Sequence, residues 1–201
     1  MDIKFRTLNY QLAATQAVVN CFIGQSKSDG NRYMLDKGKR KTNNSLQIDF
    51  INDQQGETYT DIAFGNAPIQ DMDRVLSNVQ EQQLAAGLAR SETLVVDDNG
   101  KGKNLTSSQL NLNIEMETGT GKTYCYIRTM FELNKQYGWS KFIIVVPSIA
   151  IREGVYKSLE MMADHFHQIY QKKARFFIYD SKALHHLESF SADGGINVMV
   201  I

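Results

Sequence analysis

The sequence predicts an α/β fold in three layers, with helices on both faces of a parallel sheet. Three observations carry this. From residue 111 onward, apolar segments alternate between strand-like and helix-like spacing, the order that builds parallel strands joined by crossover helices. Phe142-Ile-Ile-Val-Val146 is an unbroken, mostly β-branched run, as expected of a central strand covered on both sides. Leu112 to Tyr124 reads as a strand, a glycine-paired turn and a helix start, the order that seats a nucleoside triphosphate. Ligands of such sheets lie beyond the carboxyl ends of the strands. The glycine turn, Pro147-Ser148 and Asp180-Ser181 all fall there.

The turn is Met116-Glu-Thr-Gly-Thr-Gly-Lys-Thr123. Gly119 and Gly121 permit a tight bend with amide N–H groups turned inward on phosphate oxygens. The helix that follows presents its unpaired N–H groups and positive dipole end to the same anion. Lys122 can reach the β and γ phosphates, and the Thr123 hydroxyl can hold Mg²⁺. Thr118, Gly119, Thr120, Gly121, Lys122 and Thr123 are therefore candidate nucleotide-binding residues, with Lys122 and Thr123 the candidate catalytic pair. Met116 stands where the looser phosphate-loop pattern has glycine. The competing reading is a glycine-rich turn that merely caps a helix; the flanking strand and helix favour the phosphate loop.

In chain order, Leu8 to Ile23 places Leu8, Leu12, Val19 and Phe22 on one helical face, with Thr7 or Asn9 as a cap. Gln11 opens this helix beside Tyr10, and its amide can donate and accept together, as reading an adenine edge requires. Gly24 to Asn44 is a polar loop whose Lys37, Lys39, Arg40 and Lys41 suit either phosphate contact or plain solvation. Leu46 to Phe50 and Tyr59 to Phe64 are strand candidates that could pair as a hairpin. Asp71 caps a helix to Ala86 with Met72, Val75, Leu76 and Val79 inward and Gly87 as its stop. Leu94 to Val96 is a short strand, and residues 97–108 form a turn-rich linker. Past the turn, Tyr124, Ile127, Met130 and Phe131 mark a helix face ending before Gly138. Ile151, Val155, Leu159, Met162 and Phe166 mark the next helix. Arg175 to Tyr179 is a strand, Ser181 caps a short helix through Leu187, and Gly194-Gly195 turns into the strand Ile196 to Ile201.

Composition narrows the function classes. The chain has 201 residues, 42% of them hydrophobic, and a formal net charge of zero. A nucleic-acid contact must therefore come from a local patch. Cys21 and Cys125 read as buried thiols of a reducing compartment. The four histidines have no cysteine or carboxylate partners at ligand spacing, so no metal role is assigned to them. Without an export segment or an apolar run long enough to span a bilayer, the expectation is a soluble cytoplasmic protein that contacts no membrane.

The motifs resemble those of one family. Met116 to Tyr124 resembles motif I of the restriction subunit of type III restriction-modification enzymes, members of helicase superfamily 2. Phe142-Ile-Ile-Val-Val-Pro-Ser-Ile-Ala-Ile-Arg-Glu-Gly-Val155 is similar to its motif Ia region, and Leu8-Asn-Tyr-Gln-Leu-x-Ala14 to its adenine-reading segment. The resemblance implies a RecA-like P-loop NTPase domain that uses ATP and Mg²⁺. It implies double-stranded DNA and a methyltransferase subunit as partners, with further motor and nuclease domains in the same protein. Carried over by position, Gln11 reads adenine with Tyr10 packing on the base, and Pro147, Ser148 and Arg152 lie where one DNA strand is tracked. Residues 1–23 would be the adenine-reading helix, 24–110 an insertion, and 111–201 a partial first motor lobe, truncated before the strand that carries an Asp-Glu pair. Such a piece is expected to bind nucleotide weakly, hydrolyse little and cut no DNA. Another superfamily 2 helicase or translocase, and a non-catalytic interaction module on a motor-like fold, stay open as alternatives.

Overall fold

The computed structural model describes residues 5–28, 31–34, 62–96, 110–183 and 185–201, and every structural statement below concerns these. The basic cluster Lys37 to Lys41, the strand expected at Leu46 to Phe50 and the linker 97–108, with its Asp97-Asp98 pair, lie outside them.

Helix α1 (Asn9–Asn20) begins at Leu8, whose side chain makes no capping bond, so the expected Thr7 or Asn9 cap is not formed. Its buried residues are Gln11, Thr15 and Val19, a stripe with spacing of four. This differs from the expected apolar face because α1 lies against a helix whose backbone carbonyls are within reach. Polar side chains that bond those carbonyls can be buried there at little cost.

The polar stretch after Gly24 holds a strand where a loop was expected. β1 (Asn31–Met34) pairs antiparallel with β2 (Ile62–Gly65), Asn31 opposite Gly65 and Met34 opposite Ile62. Its own residues show no strand pattern; pairing with β2 makes it one, and Arg32 lies over the Phe64 ring. Helix α2 (Met72–Ala85) starts as expected, with the Asp71 carboxylate accepting from Arg74 N–H at 2.9 Å. Two short strands follow, β3 (Val95–Val96) and β4 (Leu110–Asn111), paired antiparallel.

The expected strand into the glycine turn is therefore short and joins a different ladder. Leu112 to Glu117 has no regular structure. A strand exists by its hydrogen-bonded neighbour. Here Ile114 and Met116 line a cavity of about 420 Å³ shared with Ile143 and Ile144, rather than pairing with them.

Helix α3 (Lys122–Tyr137) ends at Gly138, which takes the left-handed conformation at φ 76°. Then come β5 (Lys141–Ile144), α4 (Ile149–Tyr170), β6 (Arg175–Ile178), α5 (His185–Ala192) and β7 (Asn197–Val200). The three strands form a parallel sheet in the order β5-β7-β6, with Lys141 and Arg175 both in register with Asn197. Two expectations are corrected. Phe142 to Val146 is not the central strand: β5 lies at an edge, with Ile143 54% and Val145 74% exposed, while all of β7 is buried. An apolar run fixes neither how far a strand is covered nor which neighbours it has; the last strand inserts between the two before it. The helix expected from Ser181 to Leu187 instead begins at His185 and runs to Ala192, because Asp180 and Ser181 form a turn in which Asp180 accepts from Lys182 N–H at 2.9 Å.

Helices cover both faces of this sheet. Val198, Val200 and Phe176 face α4 and α3, where Ile127, Phe131, Leu159 and Phe166 complete one buried cluster. Phe177 points the other way and packs on His186 and Phe190 of α5. The main sheet is thus parallel and layered as the sequence predicts.

Candidate functional site

The glycine turn spans from the irregular lead-in to the first turn of α3. Gly119 and Gly121 take φ values of 80° and 88°, a backbone region closed to most other residues. Gly121 caps α3 with no side-chain bond. The turn's internal bonds are two: the Thr120 hydroxyl donates to Glu117 O at 2.7 Å, and Thr120 N–H reaches the same oxygen at 3.5 Å. Among the described residues, no protein acceptor takes the amides of Gly119, Gly121, Lys122 or Thr123. The consecutive N–H groups of Gly121, Lys122 and Thr123, with that of Gly119, stand unclaimed at the positive end of a 16-residue helix, an arrangement suited to an anion.

Lys122 opens α3, is exposed, and borders the 420 Å³ cavity. Thr123 follows it, half-buried. Tyr126, one turn on, buries its hydroxyl in the wall of that cavity; burial pushes its pKa up, and the nearby Thr123 side chain partly offsets this. The fit to a metal is partial. Thr123 offers one hydroxyl, and no cluster of three His, Cys, Asp or Glu gathers anywhere among the described residues.

Tyr10 and Gln11 are brought to the turn. Tyr10 Oη donates to Thr120 O at 3.1 Å and Gln11 Nε2 to the same oxygen at 3.0 Å. Gln11 is 7% exposed, Tyr10 49%. Helix α1 is further tied to α3 by Thr15 Oγ1, 3.5 Å from Cys125 O. The contacts to Thr120 O join residues about 110 apart in the chain, and no local pattern could have shown them. Cys125 and Cys21 are buried free thiols, as expected, and burial raises both their pKa values.

Pro147, Ser148 and Arg152 sit past the end of β5, around the start of α4. Ser148 caps that helix, its hydroxyl accepting from Ile151 N–H at 3.3 Å. Arg152 Nη2 lies 3.5 Å from Glu153 Oε1, while its Nε is buried with no partner among the described residues. Asp180 is spent on its own turn.

One cluster was missed by sequence reasoning. Arg128 Nη1 donates to Tyr124 Oη at 2.9 Å, and that hydroxyl lies 3.1 Å from His165 Nε2. Phe5 covers the His165 ring at 4.9 Å between centroids. Burial, and then the Arg128 charge, lower the pKa of His165. The spacing of four between Tyr124 and Arg128 was readable as a helical pair; the His165 contact across α4 was not.

A family model described as "Type III restriction enzyme, res subunit" matches residues 5–199. The chain is 35% identical over 108 residues to the EcoP15I Res subunit of Escherichia coli, covering 53% of this chain and 10% of that one. It is 42% identical over 69 residues to the EcoPI Res subunit of Escherichia phage P1, covering 33% of this chain and 7% of that one. It is 41% identical over 101 residues to the StyLTI Res subunit of Salmonella typhimurium, covering 46% of this chain and 10% of that one. The matched segments thus span a tenth or less of these relatives.

Proposed function

The chain belongs to the type III restriction enzyme Res-subunit family, and from that premise we propose that it is the ATP-binding part of a helicase-like restriction motor. The observation that carries this is the set of unclaimed amides at Gly119 and at Gly121 to Thr123, at the head of α3. In this reading Thr118 to Gly121 wrap the phosphates and Lys122 neutralises the β and γ groups. Mg²⁺, when bound, would polarise the terminal phosphate, and the Thr123 hydroxyl is the group here that would hold it. Gln11 faces adenine while one amide hydrogen stays on Thr120 O, since an amide nitrogen carries two. Tyr10 borders the base.

The proposal extends to the rest of the system. Residues 111–201 form part of a first RecA-like lobe, 1–23 supply its adenine-reading helix, and 24–110 are an insertion. Duplex DNA, a methyltransferase subunit and further motor and nuclease domains are the partners of this reading. Pro147, Ser148 and Arg152 face one DNA strand. Arg152→Ala should then weaken duplex binding and reduce its salt slope by about one; an unchanged slope would remove this part.

Calorimetric titration of ATP with Mg²⁺ tests the core of the proposal. A charged hydrogen-bond partner contributes roughly 1.5–3 kcal/mol, so Lys122→Ala should weaken binding by about 10- to 100-fold. Equal affinity in parent and variant would refute the phosphate role. Turnover by the 201 residues alone should stay far below the ~1 s⁻¹ that marks ordinary enzymes.

A further inference from the structure

Thr120 stands between two glycines, both at positive φ. Glycine visits either sign of φ at similar cost. The peptide joining Thr120 to Gly121 would turn over through Thr120 ψ and Gly121 φ, and Gly121 accepts either sign of φ. If it does, the Gly121 N–H leaves the cradle and a carbonyl oxygen faces the phosphates instead. Something outside the loop must select one orientation, and two side chains of α1 are placed to do so. Tyr10 Oη and Gln11 Nε2 meet the Thr120 oxygen at 3.1 and 3.0 Å. A carbonyl has two lone pairs, so these two donors saturate it. In a trans peptide the N–H points opposite to the C=O. An oxygen tied to α1 thus sends the Gly121 N–H away from α1, and no protein acceptor among the described residues receives it. The fit is close: a Cβ built at Gly121 would stand 2.4 Å from Gln11 Nε2.

We propose that Tyr10, with Gln11, is a positioning residue for the phosphate cradle: it holds the Thr120–Gly121 peptide with its N–H toward the anion. The inference rests on the phosphate-binding reading above and gives Tyr10 a task directed at phosphate rather than at the base. It therefore applies to any ligand with a phosphate chain, adenine or none.

Tyr10→Phe removes one oxygen and keeps the ring. The test is calorimetric titration of parent and variant with MgATP and, separately, with inorganic tripolyphosphate. One neutral hydrogen bond lost predicts weakening of roughly 2- to 10-fold, by the same factor for both probes. Gln11→Ala should weaken both probes too, and ATP further. The Gly121 amide resonance, followed by NMR, should shift in Tyr10→Phe and exchange faster, whereas a purely structural role would leave it and change only the urea midpoint. If Tyr10→Phe weakens ATP but not tripolyphosphate, Tyr10 acts on the base and the inference fails. It also fails if neither probe changes. If the parent binds neither probe, the phosphate-binding reading fails and takes this inference with it.

Discussion

Two buried clusters hold this chain together, and they are assembled differently. The first joins α3, α4 and β7 through Ile127, Phe131, Leu159, Phe166, Val198 and Val200, all from the last 80 or so residues. Its contacts are aromatic stacks and aliphatic packing: Phe131 lies 5.1 Å from both Phe166 and Tyr170. The second collects Val19, Phe22, Val75, Leu94, Leu133, Tyr137 and Trp139 from widely separated segments. It depends on side chains that reach distant backbone. Trp139 Nε1 donates to Ala67 O at 3.1 Å, Tyr137 Oη to Val19 O at 3.0 Å and Asn78 Nδ2 to Cys21 O at 3.2 Å. A core of neighbouring amphipathic elements needs only shape and apolarity. A core gathered from remote segments also needs polar tethers that set where each segment docks.

The largest expected effect lies in the first cluster. Phe166 is 1% exposed and touches rings on α3 and α4. Phe166→Ala should cost about 3–5 kcal/mol of unfolding free energy by urea titration, since little around it can collapse into the space. A loss below about 1 kcal/mol would mean this cluster is not the main support of the fold. In the second cluster, Trp139→Phe should cost less, about 1–3 kcal/mol, mainly from leaving Ala67 O without its donor. Should the Trp139 variant prove the more damaging, the ordering of the two clusters would be reversed.

The same contrast governs what could be read from residues alone. The spacing of Tyr124, Ile127, Met130 and Phe131, and of Val155, Leu159, Met162 and Phe166, gives α3 and α4 because each helix's burial is set by its own period. The glycine turn was legible for a similar reason: only glycine suits φ near 80° at positions 119 and 121. Strand order was not legible. β7 and β5 are both apolar, and only docking decides which takes the centre. Nor was the burial of Gln11 and Thr15, whose partners Thr120 and Cys125 lie across the fold. β1 was missed because its residues carry no alternation and its partner follows about 30 positions later. The pattern of error follows sequence distance.

Local capping is the next step down. Asp71 accepts from Arg74 N–H and orients α2, which brings Val75 to the second cluster. Asp71→Ala should cost about 1 kcal/mol, read as a lower urea midpoint with an unchanged slope. A changed slope would show that α2 detaches before the rest unfolds, and would sharpen the view that the second cluster is a set of tethered pieces.

The smallest effect concerns a polar contact at the rim of the first cluster. Arg128 donates to the Tyr124 oxygen, which lies 3.1 Å from His165 Nε2. Burial under Phe5 and the nearby Arg128 charge both disfavour the imidazolium, so the folded pKa lies below the ordinary value of about 6.5. The unfolded chain then binds the proton more readily than the folded one. Stability from this contact is fully present above pH ~6.5 and is lost as pH falls through the folded pKa. The ring is part-exposed, so the slope is shallow. His165→Gln should flatten the stability profile between about pH 7 and 5 relative to the parent, measured by urea midpoints at each pH. A parent profile that rises toward pH 5, or a variant with the same slope, would show that His165 does not sense protons there and that the first cluster is held by apolar contacts alone.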